Sequence, residues 1–154
     1  MKSRRGMPVR QNIAFTMRIL GLDIGKRRVG VATSDLTRTL ARPLATLQVS
    51  DADRLDTVVA EVMRLAGEED GVARVVVGLP RRLDGTPSDQ TADVETFIAA
   101  LRARIPMPVV TEDERLSSRE ADSRLSVRER DWKKRKAMLD AAAAAVILQD
   151  YLDR

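Results

Sequence analysis

Val75-Val76-Val77, closed by Gly78-Leu79-Pro80, is a short run that is apolar at every position. A strand of that kind has no polar face to offer to water. It belongs inside a sheet, parallel to its neighbours, with helices covering both sides. The segments around it supply such a frame. Arg18 to Ile24 reads as a buried strand whose end carries Asp23-Ile24-Gly25, and Val29 to Ser34 reads as its hairpin partner. A third extended stretch covers Leu40 to Val49, where Pro43 argues for an edge position because it cannot donate to a ladder. From Asp51 to Ala66 the period is helical, with Leu55, Val58, Val59, Val62 and Leu65 on one face and Gly67 as the stop. A loop from Arg81 to Pro87 leads to a helix from Ser88 to Arg104. The stretch Pro108 to Thr111 is a short strand, ending at Asp113-Glu114-Arg115. A helix is expected to start near Ser117, a mobile basic loop to cover 126–136, and an Ala-rich helix to run from Lys134 to Leu152. A meander followed by alternating helices and strands predicts an α/β fold with a mixed central β-sheet flanked by α-helices.

Two absences narrow the chemistry more than any motif does. The chain of 154 residues, one domain's length, contains no Cys and no His. Thiolate nucleophiles, disulfides, Cys/His zinc sites, and the Ser-His-Asp and Cys-His triads are therefore excluded. An enzyme of this composition must work with carboxylates, assisted by a hard cation that prefers oxygen ligands. No apolar run approaches the roughly 18 residues of a membrane span, and no secretory pattern opens the chain, so a cytoplasmic location is expected. The formal charge of +4 comes from the first 16 residues, where Lys2, Arg4, Arg5 and Arg10 have no acid beside them. The remainder is balanced, with 23 basic and 23 acidic residues. Residues 1–16 thus read as a flexible basic extension and 17–154 as the domain. Net charge carries no argument for nucleic acid here; only local clustering does.

Three acids fall where a mixed sheet would gather them. Asp23 closes the first strand, Glu114 follows the last, and Asp140 lies in the first half of the final helix. Asp140 shares a helix face with Ala143, Ala144, Ile147 and Tyr151, which is apolar apart from the acid and the hydroxyl. An Asp facing a packed sheet needs a metal, a proton or a partner. The run Ala141 to Ala145 lets that helix come close to the sheet, which a short Asp side chain requires. Converging carboxylates repel, and two Mg²⁺ or Mn²⁺ ions about 4 Å apart turn such a cluster into a site for phosphodiester hydrolysis. Each acid also has a simpler reading, as a turn former, an ion-pair partner or a solvated helix residue.

Basic residues cluster beside these positions. Lys26, Arg27 and Arg28 follow Asp23; Arg81 and Arg82 follow the buried strand; Arg128, Arg130, Lys133, Lys134, Arg135 and Lys136 crowd the approach to the last helix. If all flank one sheet edge they hold a phosphate backbone over the acids. Trp132, within the third cluster, either stacks on a base or packs onto a helix. The nucleotide loops of P-loop and dinucleotide enzymes are absent: the spacing from Gly21 to Lys26 is wrong for the first, and no G-x-G-x-x-G occurs.

Several groups of residues together are distinctive: Gly21-Leu22-Asp23-Ile24-Gly25 with Arg28-Val29-Gly30-Val31-Ala32; Val77-Gly78-Leu79-Pro80 with Asp84-Gly85-Thr86; Asp113-Glu114-Arg115-Leu116-Ser117; and Leu139-Asp140 with Ala142-Ala143 and Ile147-Leu148. In this order they closely resemble the YqgF/RuvX family, related in fold to the RuvC Holliday junction resolvases. The resemblance spans nearly the whole chain from Met17. It implies an RNase H-like nuclease domain, metal-dependent phosphodiester hydrolysis and trimming of the 5′ end of precursor 16S rRNA. The expected partners are Mg²⁺ or Mn²⁺ and nucleic acid, as precursor 16S rRNA or branched DNA, with ribosomal precursor particles, for a monomer or homodimer. It places the family's acidic site on Asp23, Glu114 and Asp140. Many members carry Asn after Gly-Leu-Pro, where this chain has Arg81-Arg82. Asp113, Asp35 and Asp84 are candidates for a fourth acid, each with a structural reading as the simpler one. Two alternatives stay open: a resolvase acting on DNA junctions with the same acids, and a non-catalytic RNA-binding module using the basic clusters.

Overall fold

The computed structural model describes residues 17–114 and 132–154, with the side chains of the last helix described from 138 onward. Strands β1 (Arg18–Ile24), β2 (Arg28–Ser34) and β3 (Ala41–Gln48) form an antiparallel meander. Strands β4 (Val72–Pro80) and β5 (Val109–Glu114) join parallel to β1, giving one five-stranded sheet in the order β3-β2-β1-β4-β5. Parallel neighbours need long connections, and helices α1 (Arg54–Ala66) and α2 (Asp89–Arg102) provide them, leaving α3 (Trp132–Leu152) to follow β5. The mixed sheet flanked by helices is the architecture expected, with β3 and its Pro43 at an edge.

Strand alternation divides the core between two faces. Leu20, Leu22, Ile24, Val29, Val31, Val75, Val77 and Leu79 meet α1 through Val58, Val62 and Leu65, and α2 through Val94, Phe97, Ile98 and Leu101. The alternate positions Ile19, Ala32 and Val76 lie under Ala144, Ala145, Ile147 and Leu148 of α3. Val75, Val76 and Val77 are all 0% exposed, which is what an apolar run covered from both sides requires.

The edges of several elements differ from the expectation, each for a local reason. Strand β4 outruns its apolar centre, because ladders on both sides extend it, from Arg18 opposite Val72 to Glu114 opposite Pro80. The same ladder draws Asp113 and Glu114 into β5, so Glu114 ends the strand rather than following it. Helix α1 starts at Arg54, after a turn in which the Ser50 N–H donates to Asp53 Oδ1 at 2.6 Å and the Asp53 N–H to Ser50 Oγ at 3.3 Å. At the start of α2, Thr91 Oγ1 accepts from the Ser88 N–H at 2.8 Å and donates to the Pro80 carbonyl, tying the helix to the end of β4. The loop expected over 126–136 is corrected in its second part. The chain is helical from Trp132, since Lys and Arg are good helix formers and no Gly or Pro separates them from the Ala run. Residues 126–131 and the helix expected near Ser117 lie outside the described residues. No described helix is long and apolar enough to cross a membrane.

Three strand glycines set the height of α3 above the sheet. A Cβ on Gly21 would stand 2.8 Å from Leu148 Cβ and 3.0 Å from the Ala144 carbonyl oxygen, and one on Gly78 2.5 Å from Ile147 Cδ1. A Cβ on Gly30 would overlap the carbonyl oxygen of Asp140. The Ala face of the helix and the glycine face of the sheet together bring Asp140 down to the strand ends.

Candidate active site

Asp23 lies near the end of β1 and Glu114 at the end of β5, with β4 between them. Leu22 pairs with Val77, one residue before the level of Asp23 and Gly78; Glu114 pairs with Pro80, two residues beyond the Gly78–Glu112 pair, and its side chain reaches back over Gly78. Gly78 has no side chain to part them, and its missing Cβ would stand 2.9 Å from Glu114 Oε1. The residues themselves are half-buried, but their carboxyl groups turn inward and share a hydrogen bond.

The environment splits the proton affinity of this pair. Burial pushes the Glu114 carboxyl up to about 10, and its hydrogen bond to Asp23 and the nearby Asp23 charge hold it there. Asp23 is raised too, first by burial; the bond from Glu114 works against the rise and the charge of Asp140 adds to it. At neutral pH Glu114 therefore keeps a proton and donates it to Asp23. Glu114 Oε1 is buried over Gly78, and no N–H or O–H group among the described residues donates to it.

Asp140 arrives from the opposite side. Gly30 pairs with Asp23 across the hairpin, and α3 rests on Gly30 at Asp140. The influence of the Asp140 charge on Asp23 places the third acid within electrostatic reach of the pair. Its carboxylate is held by Arg28, whose Nε donates to Oδ2 at 2.6 Å. Among the described residues no three acids stand close enough together to ligate one ion. The pair itself suits a hard divalent cation: its donors are all oxygens, one of them is buried with no described group donating to it, and its proton is what a cation would replace. The other acids considered are engaged elsewhere. Asp113 pairs with Arg81 at 3.1 Å, Asp35 accepts from the Thr39 and Leu40 N–H groups at 2.8 and 3.2 Å, and Asp84 accepts from the Thr86 N–H and Oγ1 at 2.9 and 2.7 Å.

Residues 17–154 match the family described as RuvX: Holliday junction resolvase. The chain belongs to the RuvX family. A relative from Chloroflexus aggregans, named "Putative pre-16S rRNA nuclease", is 44% identical over 135 residues, which is 88% of this chain and 92% of the relative. A relative of the same name from Desulforamulus reducens is 41% identical over 140 residues, covering 89% and 97% of the two chains. Among solved structures, the Fowlpox virus resolvase bound to Holliday junction DNA superposes with a TM-score of 0.55 at 13% identity, over 89% of this chain and 97% of that one. The fold is therefore RNase H-like, as in the RuvC-type resolvases, and the chain is a member of a nuclease family.

In this RuvX chain the basic residues separate into two groups. Lys26, Arg27 and Arg82 are exposed. Arg28 and Arg81 are engaged, the first with Asp140 and the second with Asp113. Arg81 also helps shape its loop, where it bridges to Pro87 and its Nη1 lies 3.5 Å from the Gly85 carbonyl oxygen. Arg128 and Arg130 lie outside the described residues, as do the side chains of Trp132, Lys133, Lys134, Arg135 and Lys136. Sequence reasoning overlooked Arg54. Its guanidinium forks onto both Asp93 oxygens at 3.0 and 3.1 Å, donates to the Gly25 carbonyl at 3.1 Å, and stacks over the Phe97 ring 5.0 Å from its centroid. It thereby holds the turn that separates Asp23 from Arg28, from the far face of the sheet. Nothing in the local pattern of α1 signals this. Gly21, Gly30 and Gly78 stand in the motif groups, but with one on each of three strands nothing local shows that together they seat α3.

Proposed function

We propose that this chain is a divalent-cation-dependent nuclease that trims the 5′ end of precursor 16S rRNA. The observation that supports the chemistry best is the Asp23–Glu114 pair, which meets over Gly78 with a buried oxygen to which no described group donates. Asp23 and Glu114 would hold the cation, joined by Asp140. Bound Mg²⁺ or Mn²⁺, one ion or two, supplies an activated water and charge stabilisation at the scissile phosphate. The protein's part is to fix these carboxylates on strand ends, keep water from their inner sides, and release the Glu114 proton as they become ligands. Lys26, Arg27 and Arg82 would carry the sugar-phosphate backbone. The RNA substrate is taken from the naming of the relatives.

The family description and the resolvase neighbours favour a second reading, cleavage of DNA junctions with the same acids. One assay separates the two. The full chain is offered a precursor 16S 5′ fragment, an unrelated RNA and a four-way DNA junction in Mg²⁺ or Mn²⁺, beside Asp23→Asn and Asp140→Asn proteins. Selective precursor cutting, lost in both variants, is the expected result. Junction cutting with the same losses moves the substrate to DNA. RNA binding without cutting of any substrate overturns the nuclease reading and leaves a binding module.

A further inference from the structure

The acids of the site are neutralised in two different ways. Asp23 and Glu114 share a proton, while Asp140 has a cation of the protein's own, Arg28. We propose that Arg28 is an exchangeable internal counter-cation: it holds Asp140 until a divalent cation binds there, and its freed guanidinium then takes a phosphate of the substrate strand. This rests on the reading of the acids as a cation site.

The placement follows from strand alternation. Arg28 and Gly30 are two residues apart on β2 and so point to the same face, and Asp23 pairs with Gly30. Helix α3 touches the sheet at Gly30 through the Asp140 backbone. The Asp140 carboxylate thus takes the Arg28 hydrogen bond on Oδ2 while its charge is felt by Asp23. A divalent cation beside Asp23 and the Arg28 guanidinium would both draw on that one negative charge.

The form of the contact is that of an exchangeable one. Arg28 uses Nε alone, and among the described residues neither Nη group has a hydrogen-bond partner. The side chain is 35% exposed and that of Asp140 23%. The contact is one charged hydrogen bond rather than a bidentate pair, on a partly exposed guanidinium, so it exchanges more readily than a two-armed contact does. Arg54, at the same turn, shows the contrast: it grips Asp93 with both ends of its fork, contacts a carbonyl and a ring as well, and is 11% exposed. One arginine locks the turn, and the other, among the described residues, engages the acids through Nε alone. A guanidinium fork has the geometry for two oxygens of a phosphate. The exchange would couple the events in a useful order, since the site grips substrate fully only once its cation is in place.

The test has two arms, neither of which requires turnover. In the first, Mn²⁺ binding to the full chain is measured by calorimetry for wild type, Arg28→Met and Arg28→Lys, with Asp23→Asn as the site control. Removing the internal competitor is expected to tighten Mn²⁺ binding by about two- to fivefold in Arg28→Met, the range an exposed ion pair allows, while Arg28→Lys stays near wild type. In the second, binding of a precursor-RNA fragment is measured in EDTA. Asp140→Asn frees Arg28 and is expected to bind the fragment more tightly than wild type, and Asp140→Asn/Arg28→Met is expected to lose that gain. Unchanged or weaker Mn²⁺ binding in Arg28→Met overturns the proposal alone. So does an RNA gain that survives in the double variant, which would be general charge relief. Absence of any Asp23-dependent Mn²⁺ binding in wild type would sink the cation site itself and this proposal with it. Melting curves of each variant establish that it is folded, and Arg28→Gln, which also removes the charge, carries the same expectations in both arms if the Met variant is not.

Discussion

Asp23 and Glu114 share a hydrogen bond although their strands are not neighbours. The contact exists because the strand between them contributes Gly78 at that level. The buried proton on Glu114 and the close approach of Oε1 follow from that gap, while Asp140 is brought in separately, by the seat of α3 on Gly30. A sheet with any larger residue there would keep its acids apart.

Gly78→Ala tests this directly. The added methyl meets Ile147 Cδ1 at 2.5 Å and Glu114 Oε1 at 2.9 Å, so either α3 or the Glu114 carboxyl must yield. Overpacking of this kind costs about 1–3 kcal/mol. The expected outcome is a folded protein with a lower melting temperature and a loss of cleavage larger than the stability change explains. Wild-type cleavage in the Ala variant would show that the pair is not needed in this form.

Glu114→Gln separates stability from function. The folded-state affinity of Glu114 for its proton lies at about 10, far above the ordinary value of 4.5. The folded protein therefore holds a proton that the unfolded chain has lost between those two pH values, and stability falls as pH rises through that window. The amide abolishes this penalty. At pH 8 without divalent cation, Glu114→Gln is expected to melt higher than wild type, by about 2–4 °C for each kcal/mol removed, and the advantage is expected to shrink toward pH 4.5. Cleavage is expected to be lost. A lower melting temperature at pH 8 would mean that the carboxyl is not strained there.

The fold was legible where alternation and period speak for themselves. Val75 to Val77 announced a strand covered on both faces, and Leu55, Val58, Val62 and Leu65 announced the helix that covers one of them. The three acids could be singled out because the chain has no His or Cys to compete for the role. Two things were not legible. Arg28 looked like one of three equivalent phosphate contacts after Asp23, and only tertiary structure shows it turned to Asp140, 112 residues away along the chain. Arg54 stands out by no feature of the helix pattern, yet it is buried, because Asp93 from another helix neutralises it. Partner choice between distant charges leaves no trace in local pattern, whereas burial of apolar side chains does.

Arg54→Met should reach the site from across the sheet. It leaves Asp93 without its fork and the Gly25 carbonyl without a donor. Breaking a buried pair costs about 3–5 kcal/mol; Asp93 is 35% exposed, so about 2 kcal/mol is the expected loss. The Arg54 contact lowers the Asp93 pKa, so its contribution is present at neutral pH and disappears as pH falls below the ordinary carboxylate range. The difference in melting temperature between wild type and variant is therefore expected to narrow under acid. A difference that stays constant to pH 3 would assign the loss to packing on Phe97 instead.

Lys26, Arg27 and Arg82 are exposed, and none has an ion pair within the described residues. Lys26 has a longer-range partner in Asp93, whose carboxyl its charge helps to hold down. Exposed cations beside the proposed site would act on phosphates without regard to sequence. Replacing each by Ala is expected to weaken RNA binding similarly for precursor and unrelated RNA, and to reduce the slope of log affinity against log salt by about 0.7 per charge removed. Melting temperatures are expected to stay within about 2 °C, since surface substitutions of this kind change stability by no more than roughly 0.5 kcal/mol. Titrations of the three single variants at several salt concentrations measure both quantities. A variant whose affinity falls while its salt slope is unchanged does not contact a phosphate, and its residue would then be removed from the binding surface.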